Sequence, residues 1–304
     1  MSGRREAALF WSTAALLVAG AAVAYRVLLG PSPAAAPPRD DAPPAVRLAI
    51  AEISGEVTLV RAGVRSRAAP GDALRADDAI ETARGARVVL AGGSYDVALE
   101  EGAAFDVREI TAELSRFHLG QGYLSARVRE EPGRAVEIEG APGARVRTAG
   151  GDVAVVRSGA TVAVGVERGS AEFAAGGAAV VLAAGQQSMA AAGARPSRPE
   201  PIPASLLLKV SWPEERATNQ RRIVVTGRTQ PGAIVVLGDE RVDVGADGRF
   251  THVVTLREGR QRLSARARAV GGSAAEESPV ILLDTRAPDP RFDTSKLWVK
   301  PGKK

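Results

Sequence analysis

Glycine recurs about every eight to twelve residues between Gly55 and Gly185, and the stretches between are short and alternate in polarity. Val57-Thr58-Leu59-Val60 follows Gly55. Ala86-Arg87-Val88-Val89-Leu90 ends at Gly92-Gly93, and Ala135-Val136-Glu137-Ile138-Glu139 alternates cleanly. Thr161 to Val166 runs to Arg168-Gly169, and Val180-Val181-Leu182 to Ala184-Gly185. Each glycine supplies the positive φ that a tight turn needs. Period-two runs broken at this spacing predict an all-β fold: a sandwich, a barrel or a solenoid. One stretch reads two ways. Ile110, Leu114, Phe117 and His118 share one helical face, while Leu114, Arg116 and His118 also alternate as a strand would.

The N-terminus differs. Ala7 to Tyr25 is an uncharged, apolar run of 19 residues. As a helix it spans about 28 Å, against a hydrocarbon core of about 30 Å. Val27-Leu28-Leu29 extend it if Arg26 snorkels. Arg4 and Arg5 before the run favour an internal N-terminus, and Trp11 and Tyr25 suit interfacial anchors. The expectation is a single-pass inner-membrane helix over 7–29 behind a cytoplasmic stub of 1–6, with the bulk of the chain in the periplasm. The alternative is a signal peptide cleaved near Ala24, within Ala22-Val23-Ala24.

Proline marks the joints. Residues 30–46 and 193–204 are Pro-rich and read as linkers. They divide the chain into folded regions over 47–192 and 205–285 and a tail over 286–304. Net charges follow the same division: +1 for 1–46, −3 for 47–192, +1 for 193–204, +2 for 205–285 and +4 for the tail. A nucleic-acid binder would concentrate positive charge on a folded face beside aromatics, so no nucleic-acid partner is expected. The chain has no Cys, which excludes a disulfide framework, a thiol nucleophile and Cys-based zinc or iron–sulfur sites. Of the 40 basic residues 35 are Arg, a bias that with the high Ala and Gly reflects a GC-rich genome.

Residues 47–192 resemble the FecR-like family. The resemblance is carried by Ile53-Ser54-Gly55-Glu56-Val57, Pro70-Gly71-Asp72-Ala73-Leu74 and Asp78-Ala79-Ile80-Glu81-Thr82. It continues through Arg87-Val88-Val89-Leu90, Ser94-Tyr95-Asp96-Val97-Ala98-Leu99 and Leu119-Gly120-Gln121-Gly122-Tyr123-Leu124. Val146-Arg147-Thr148-Ala149-Gly150-Gly151 looks like the family's Val-x-Thr-Pro-x-Gly without its Pro, and Val155 to Gly159 stands where Gly-Thr-x-Phe is usual. Gly-Asp followed by Asp-x-Ile-x-Thr predicts a turn and then a strand with Ile80 inward. The resemblance implies a β-rich periplasmic domain that regulates or receives signals by contacting a membrane or receptor partner. The family's cytoplasmic sigma-binding segment has no counterpart before the apolar run, which puts direct anti-sigma activity in doubt.

Residues 205–285 alternate again, through Ile223-Val224-Val225-Thr226 and Ala233 to Leu237, with Asp247-Gly248 as a hairpin signal before Phe250. About seven strands in this length fit an immunoglobulin-like sandwich. The run Thr226-Gly227 to Pro231-Gly232-Ala233, Ala246-Asp247-Gly248-Arg249-Phe250 and Ala265-x-Ala267 resembles bacterial immunoglobulin-like modules of the glucodextranase type.

The candidate chemistry is thin. No triad motif includes His118, which reads as packed in or near a core, and His252 reads as a surface strand position. Asp239, Asp243 and Asp247 lack calcium-loop spacing, and Gly92-Gly93-Ser94 is a turn with no phosphate-loop helix after it. Glu137 and Glu139 share a strand face, read as solvated, and Glu130-Glu131 is a further acidic pair. Trp212 is the best aromatic platform for a sugar, ahead of Tyr95, Tyr123 and Trp298, although a packed role is the plainer reading. The basic tail, Lys296, Lys300, Lys303 and Lys304, reads as solvated. The expectation is a mainly β, non-enzymatic envelope protein with no catalytic, cofactor-binding or metal-ligating residues. It would signal through a membrane or envelope protein partner. A glycan- or peptidoglycan-binding structural module is the alternative.

Overall fold

The structure is a computed structural model that describes residues 47–213 and 217–286. The expected membrane helix, the first linker, and the tail from residue 287 with its lysines and Trp298 lie outside the described residues. The chain is mainly β. Among the described residues no helix is long and apolar enough to cross a membrane.

Eight short strands come first: β1 (Leu48–Ser54), β2 (Val57–Arg61), β3 (Val64–Arg67), β4 (Ala73–Leu74), β5 (Ala79–Thr82), β6 (Arg87–Ala91), β7 (Tyr95–Leu99) and β8 (Ala104–Ile110). Then follow β9 (Leu114–Val128), β10 (Ala135–Ala141), β11 (Ala144–Ser158), β12 (Thr161–Ala175), β13 (Ala178–Ala183), β14 (Gln186–Ala191) and β15 (Glu200–Pro201). The stretch with two readings, 110–119, is extended: β8 ends at Ile110, and β9 runs antiparallel to it from Leu114.

All fifteen strands form one hydrogen-bonded sheet, and that sheet folds over on itself. One layer runs β4-β1-β6-β7-β9-β11-β12-β14-β15; the other runs β3-β2-β5-β8-β9-β10-β11-β12-β13. The strands β9, β11 and β12 belong to both layers. The first half of β9 pairs with β8 and, in parallel, with β10; its second half pairs with β7 and β11. In the earlier part of the chain the same path is broken into consecutive pairs, such as β1 with β2 and β7 with β8.

Burial shows how one strand serves both layers. Along β9 the inward residues are Ser115, Phe117 and Leu119, then Leu124, Ala126 and Val128, so the alternation changes phase at the corner. In β12 it passes from Val162, Val164 and Val166 to Ala171 and Phe173. Without that change, period-two alternation would turn the second arm's apolar side chains outward. The corner is a glycine: Gly122 has φ 106°, and a Cβ there would lie 2.6 Å from Ala103 Cα. At Gly169, φ is 77° and a Cβ would meet Gly150 O at 2.5 Å. Only glycine tolerates both the sign of φ and the approach of the neighbouring backbone.

The layers share one core, with Phe117 between Tyr95 (ring centroids 5.7 Å apart) and Phe105 (5.1 Å). The motifs cited above turn out to be its fasteners. Ile80 is fully buried. Thr82 Oγ1 donates to Glu100 O at 2.6 Å and accepts from Ala103 N at 2.8 Å. Asp78 is buried yet charged: its carboxylate accepts from Arg61 Nε at 2.9 Å, Arg61 Nη2 at 2.7 Å and Arg75 N at 2.8 Å. The hydrogen bonds from Arg61 hold its pKa below the usual carboxylate range.

A second group of strands follows: β16 (Leu208–Ser211), β17 (Ala217–Thr218), β18 (Arg222–Thr229), β19 (Ile234–Leu237), β20 (Glu240–Val242), β21 (Arg249–Thr255), β22 (Gly259–Arg262), β23 (Ala265–Arg268), β24 (Ala274–Glu277) and β25 (Val280–Leu283). They form three sheets, β16-β18-β21, β17-β25-β22 and β20-β19-β23-β24, around a core that includes Val225, Val235, Phe250 and Ile281. Asp247-Gly248 is a turn but not a hairpin: β20 and β21, which it joins, belong to different sheets. Gly248 alone of the two takes positive φ, at 78°.

Candidate functional site

The outer face of the first layer is small-sided. In register across β6, β7, β9, β11 and β12 lie Val89, Ala98, Ser125, Ala154 and Gly165. Such side chains leave room for another surface, and the second group of strands occupies part of it. Tyr123, Ala154, Val156 and Ala163 are buried with Ile234 and Val270 in one apolar cluster. A Cβ on Gly232 would sit 2.8 Å from Ala163 Cβ, so the backbones approach closely. Tyr123 is the pivot: its hydroxyl donates to Val270 O at 3.3 Å, and the Arg268 guanidinium lies 5.4 Å from its ring centroid. Burial pushes the Tyr123 phenol up to about 12.

Polar contacts rim the cluster. Arg241 Nη2 donates to Glu101 O at 3.2 Å, Arg266 pairs with Glu101 at 3.5 Å and Arg268 with Glu100 at 3.5 Å. Arg84 pairs with Asp239. Residues 193–204 also pack on the first group of strands: Glu200 and Pro201 pair with β14, and Ile202 N donates to Gly185 O at 2.8 Å.

Where the small-sided face stays uncovered, a groove remains between the two groups of strands. Two hollows of about 330 and 640 Å³ share Arg87, Glu100, Tyr123 and Arg268 in their linings. Ala98 and Ser125 floor the smaller one, and Ala274 to Glu276 of β24, the outermost strand of its sheet, wall the larger. Asp96, Arg127 and Asp152, which also line the smaller hollow, stand in register with Arg168 in a row of alternating sign. The groove offers an extended segment both apolar floor and paired charge at the rim.

The residues singled out from the sequence scatter. His118 Nδ1 lies 2.7 Å from Asp106 Oδ2, and its Nε2 lies 3.4 Å from Arg157 Nη1, so both ring nitrogens are engaged on the opposite layer. His252 Nε2 is 2.9 Å from Glu240 Oε2. Asp239 faces Arg84, Asp247 accepts from Arg249 N at 3.0 Å, and Asp243 lies beside Gly159. Glu131 pairs with Arg134 at 3.0 Å. Glu137 is not solvated: it is 8% exposed and accepts from Arg116 Nε at 2.9 Å. Arg116 reaches over it from β9, the neighbouring strand. Tyr95 is buried in the core and Tyr123 in the apolar cluster, so neither ring is a platform for a sugar. Trp212 is half-buried, donating Nε1–H to Glu277 Oε2 at 3.0 Å.

No family model matches the chain, and no curated protein does. Among solved structures, two crystal structures of a putative anti-sigma factor from Parabacteroides distasonis ATCC 8503, at 1.65 and 2.50 Å resolution, are similar at 16% and 17% identity. In both, the match has a TM-score of 0.36 and covers 40% of this chain and 59% of the other.

Of the groove's residues the sequence offers Tyr123 as a candidate contact, while Arg87, Val89, Asp96 and Ala98 stand there only within the motifs of the FecR-like resemblance. A signal for the covered face was nevertheless present. Val153 to Val156 and Thr161 to Val166 are apolar or small at nearly every position, the pattern of strands covered on both sides.

Proposed function

We propose that the chain is a non-enzymatic, membrane-anchored periplasmic protein that acts in envelope signalling by binding another envelope protein. In this reading 47–192 is a FecR-like domain and 205–285 an immunoglobulin-like one. The observation that carries it is the groove on both sides of Tyr123, with its floor on the first group of strands and its wall on the second. Such a composite cleft gives the second region a part in recognition rather than in spacing alone. The wall strand β24 is outermost in its sheet, which suits an added strand from a partner.

The test is a photo-crosslinker at Ser125 in the full chain, in cells. An adduct with one envelope protein is expected, and Ala98→Trp, which fills the floor, should abolish it. Adducts that persist in that variant, or a C-terminal reporter found in the cytosol, would overturn the proposal.

A further inference from the structure

Charge rows across the strands obey one rule with one exception. In the open layer Glu109, Arg116, Glu137, Arg147 and Glu172 stand in register on neighbouring strands, alternating in sign. Glu139 faces Arg145, and Arg266 faces Glu276. The exception is the outer face of the sheet β16-β18-β21. There Lys209 is the register partner of Arg228, and Arg228 of Arg249. Strands are about 4.8 Å apart, and like charges directly opposite destabilise a sheet. Among the described residues Lys209, Arg222 and Arg228 make no ion pair, and Arg249 has only Asp247, at 3.6 Å. A row that sets like charges side by side, where the other rows with charges directly opposite one another alternate in sign, costs folding stability and points to an anionic partner.

The rest of the face says what kind. Next to the cationic row lies a row of hydroxyls, Ser211, Thr226 and Thr251. Next comes a cross-strand pair of exposed valines, Val224 at 60% and Val253 at 41%. Leu207, just before β16, is also 60% exposed. Cations, hydroxyls and aliphatic side chains on one open sheet face match an anionic bilayer surface, where phosphates take the charges and the aliphatics enter the headgroup boundary. An acidic protein surface would account for the cations but not for the bare valines. We propose that the outer face of β16-β18-β21 docks on anionic lipid through Lys209, Arg228 and Arg249, with Val224 and Val253 against the bilayer.

The test uses the absence of cysteine. In the full chain Thr226→Cys carries a single fluorophore on the face, and Glu172→Cys carries one on the charge-alternating layer as a control. Vesicles of phosphatidylcholine, alone or with phosphatidylglycerol at three to one, contain a headgroup-labelled quencher. The readout is local, so insertion of 7–29 would not by itself produce it. Quenching at 226 is expected to be severalfold stronger with the anionic vesicles, to be lost in high salt or with Arg228→Glu, and to survive Arg228→Lys. The label at 172 should not respond to lipid composition. Arg228→Glu should also raise the melting temperature, because it relieves the like-charge row; that rise separates lost docking from misfolding. Equal quenching with both vesicles would overturn the proposal. So would no quenching together with a crosslink from position 226 to an acidic envelope protein.

Discussion

The two outer faces of the folded-over sheet solve opposite problems. The open layer faces solvent and pairs its charges across strands, from Glu109 to Glu172. The other layer carries Ala98, Ser125, Ala154 and Gly165 in register, and most of that strip lies beneath the second group of strands or floors the groove. The same strands supply both faces, since β9, β11 and β12 cross from one layer to the other at glycine corners. A strand therefore carries two surface specifications, and the change of phase at the corner keeps them from mixing.

The largest test of this comparison is Gly122→Val. Left-handed strain and the clash with Ala103 together predict a loss of about 3–5 kcal/mol in urea denaturation. Gly143→Ala, in the turn of the antiparallel β10–β11 hairpin, is the control: its φ is 74° with nothing within 4 Å of a Cβ, so only about 1 kcal/mol should be lost. Equal effects would mean that corners and hairpin turns are alike.

Next comes the covered face. Tyr123→Ala should cost about 3–5 kcal/mol, as aromatic truncation does in a packed site. Calorimetry should then resolve two transitions in place of one. Tyr123→Phe, which loses only the hydrogen bond to Val270, should cost about 1 kcal/mol. A single unchanged transition in Tyr123→Ala would show that the cluster does not couple the two groups of strands.

The smallest effect belongs to the exposed end of the alternating charge row, at Arg147 and Glu172. Glu172→Lys places a like charge opposite Arg147 and should cost about 0.2–1 kcal/mol in denaturation, less at high salt. An effect as large as that of Tyr123→Ala would overturn the contrast between the faces.

The strands were legible in the sequence because alternation and glycine spacing are local signals. Even the inward Ile80 followed from Asp-x-Ile-x-Thr. The corners were not, because a hairpin turn and a fold-over both call for a positive-φ glycine: Gly93 and Gly122 read the same until their neighbours are known. Glu137 misled because strand parity says which residues share a face, not which long side chain from the next strand covers it. The groove stayed hidden for a similar reason. Ser125 and Ala154 are ordinary small residues in the sequence, Ala98 stands there only as part of the Ser94 to Leu99 motif, and only the register lines the three up. The like-charge row escaped notice too, since Lys209, Arg228 and Arg249 are far apart along the chain.

The docking of Glu200 and Pro201 beside β14 has a mechanical consequence. The chain leaves the first group of strands through an edge element held by two residue pairs. Tension arriving from the C-terminal side would peel β15 like the end of a zipper before it strained the buried hydrogen-bond ladder, so β15 would serve as the fuse of the assembly.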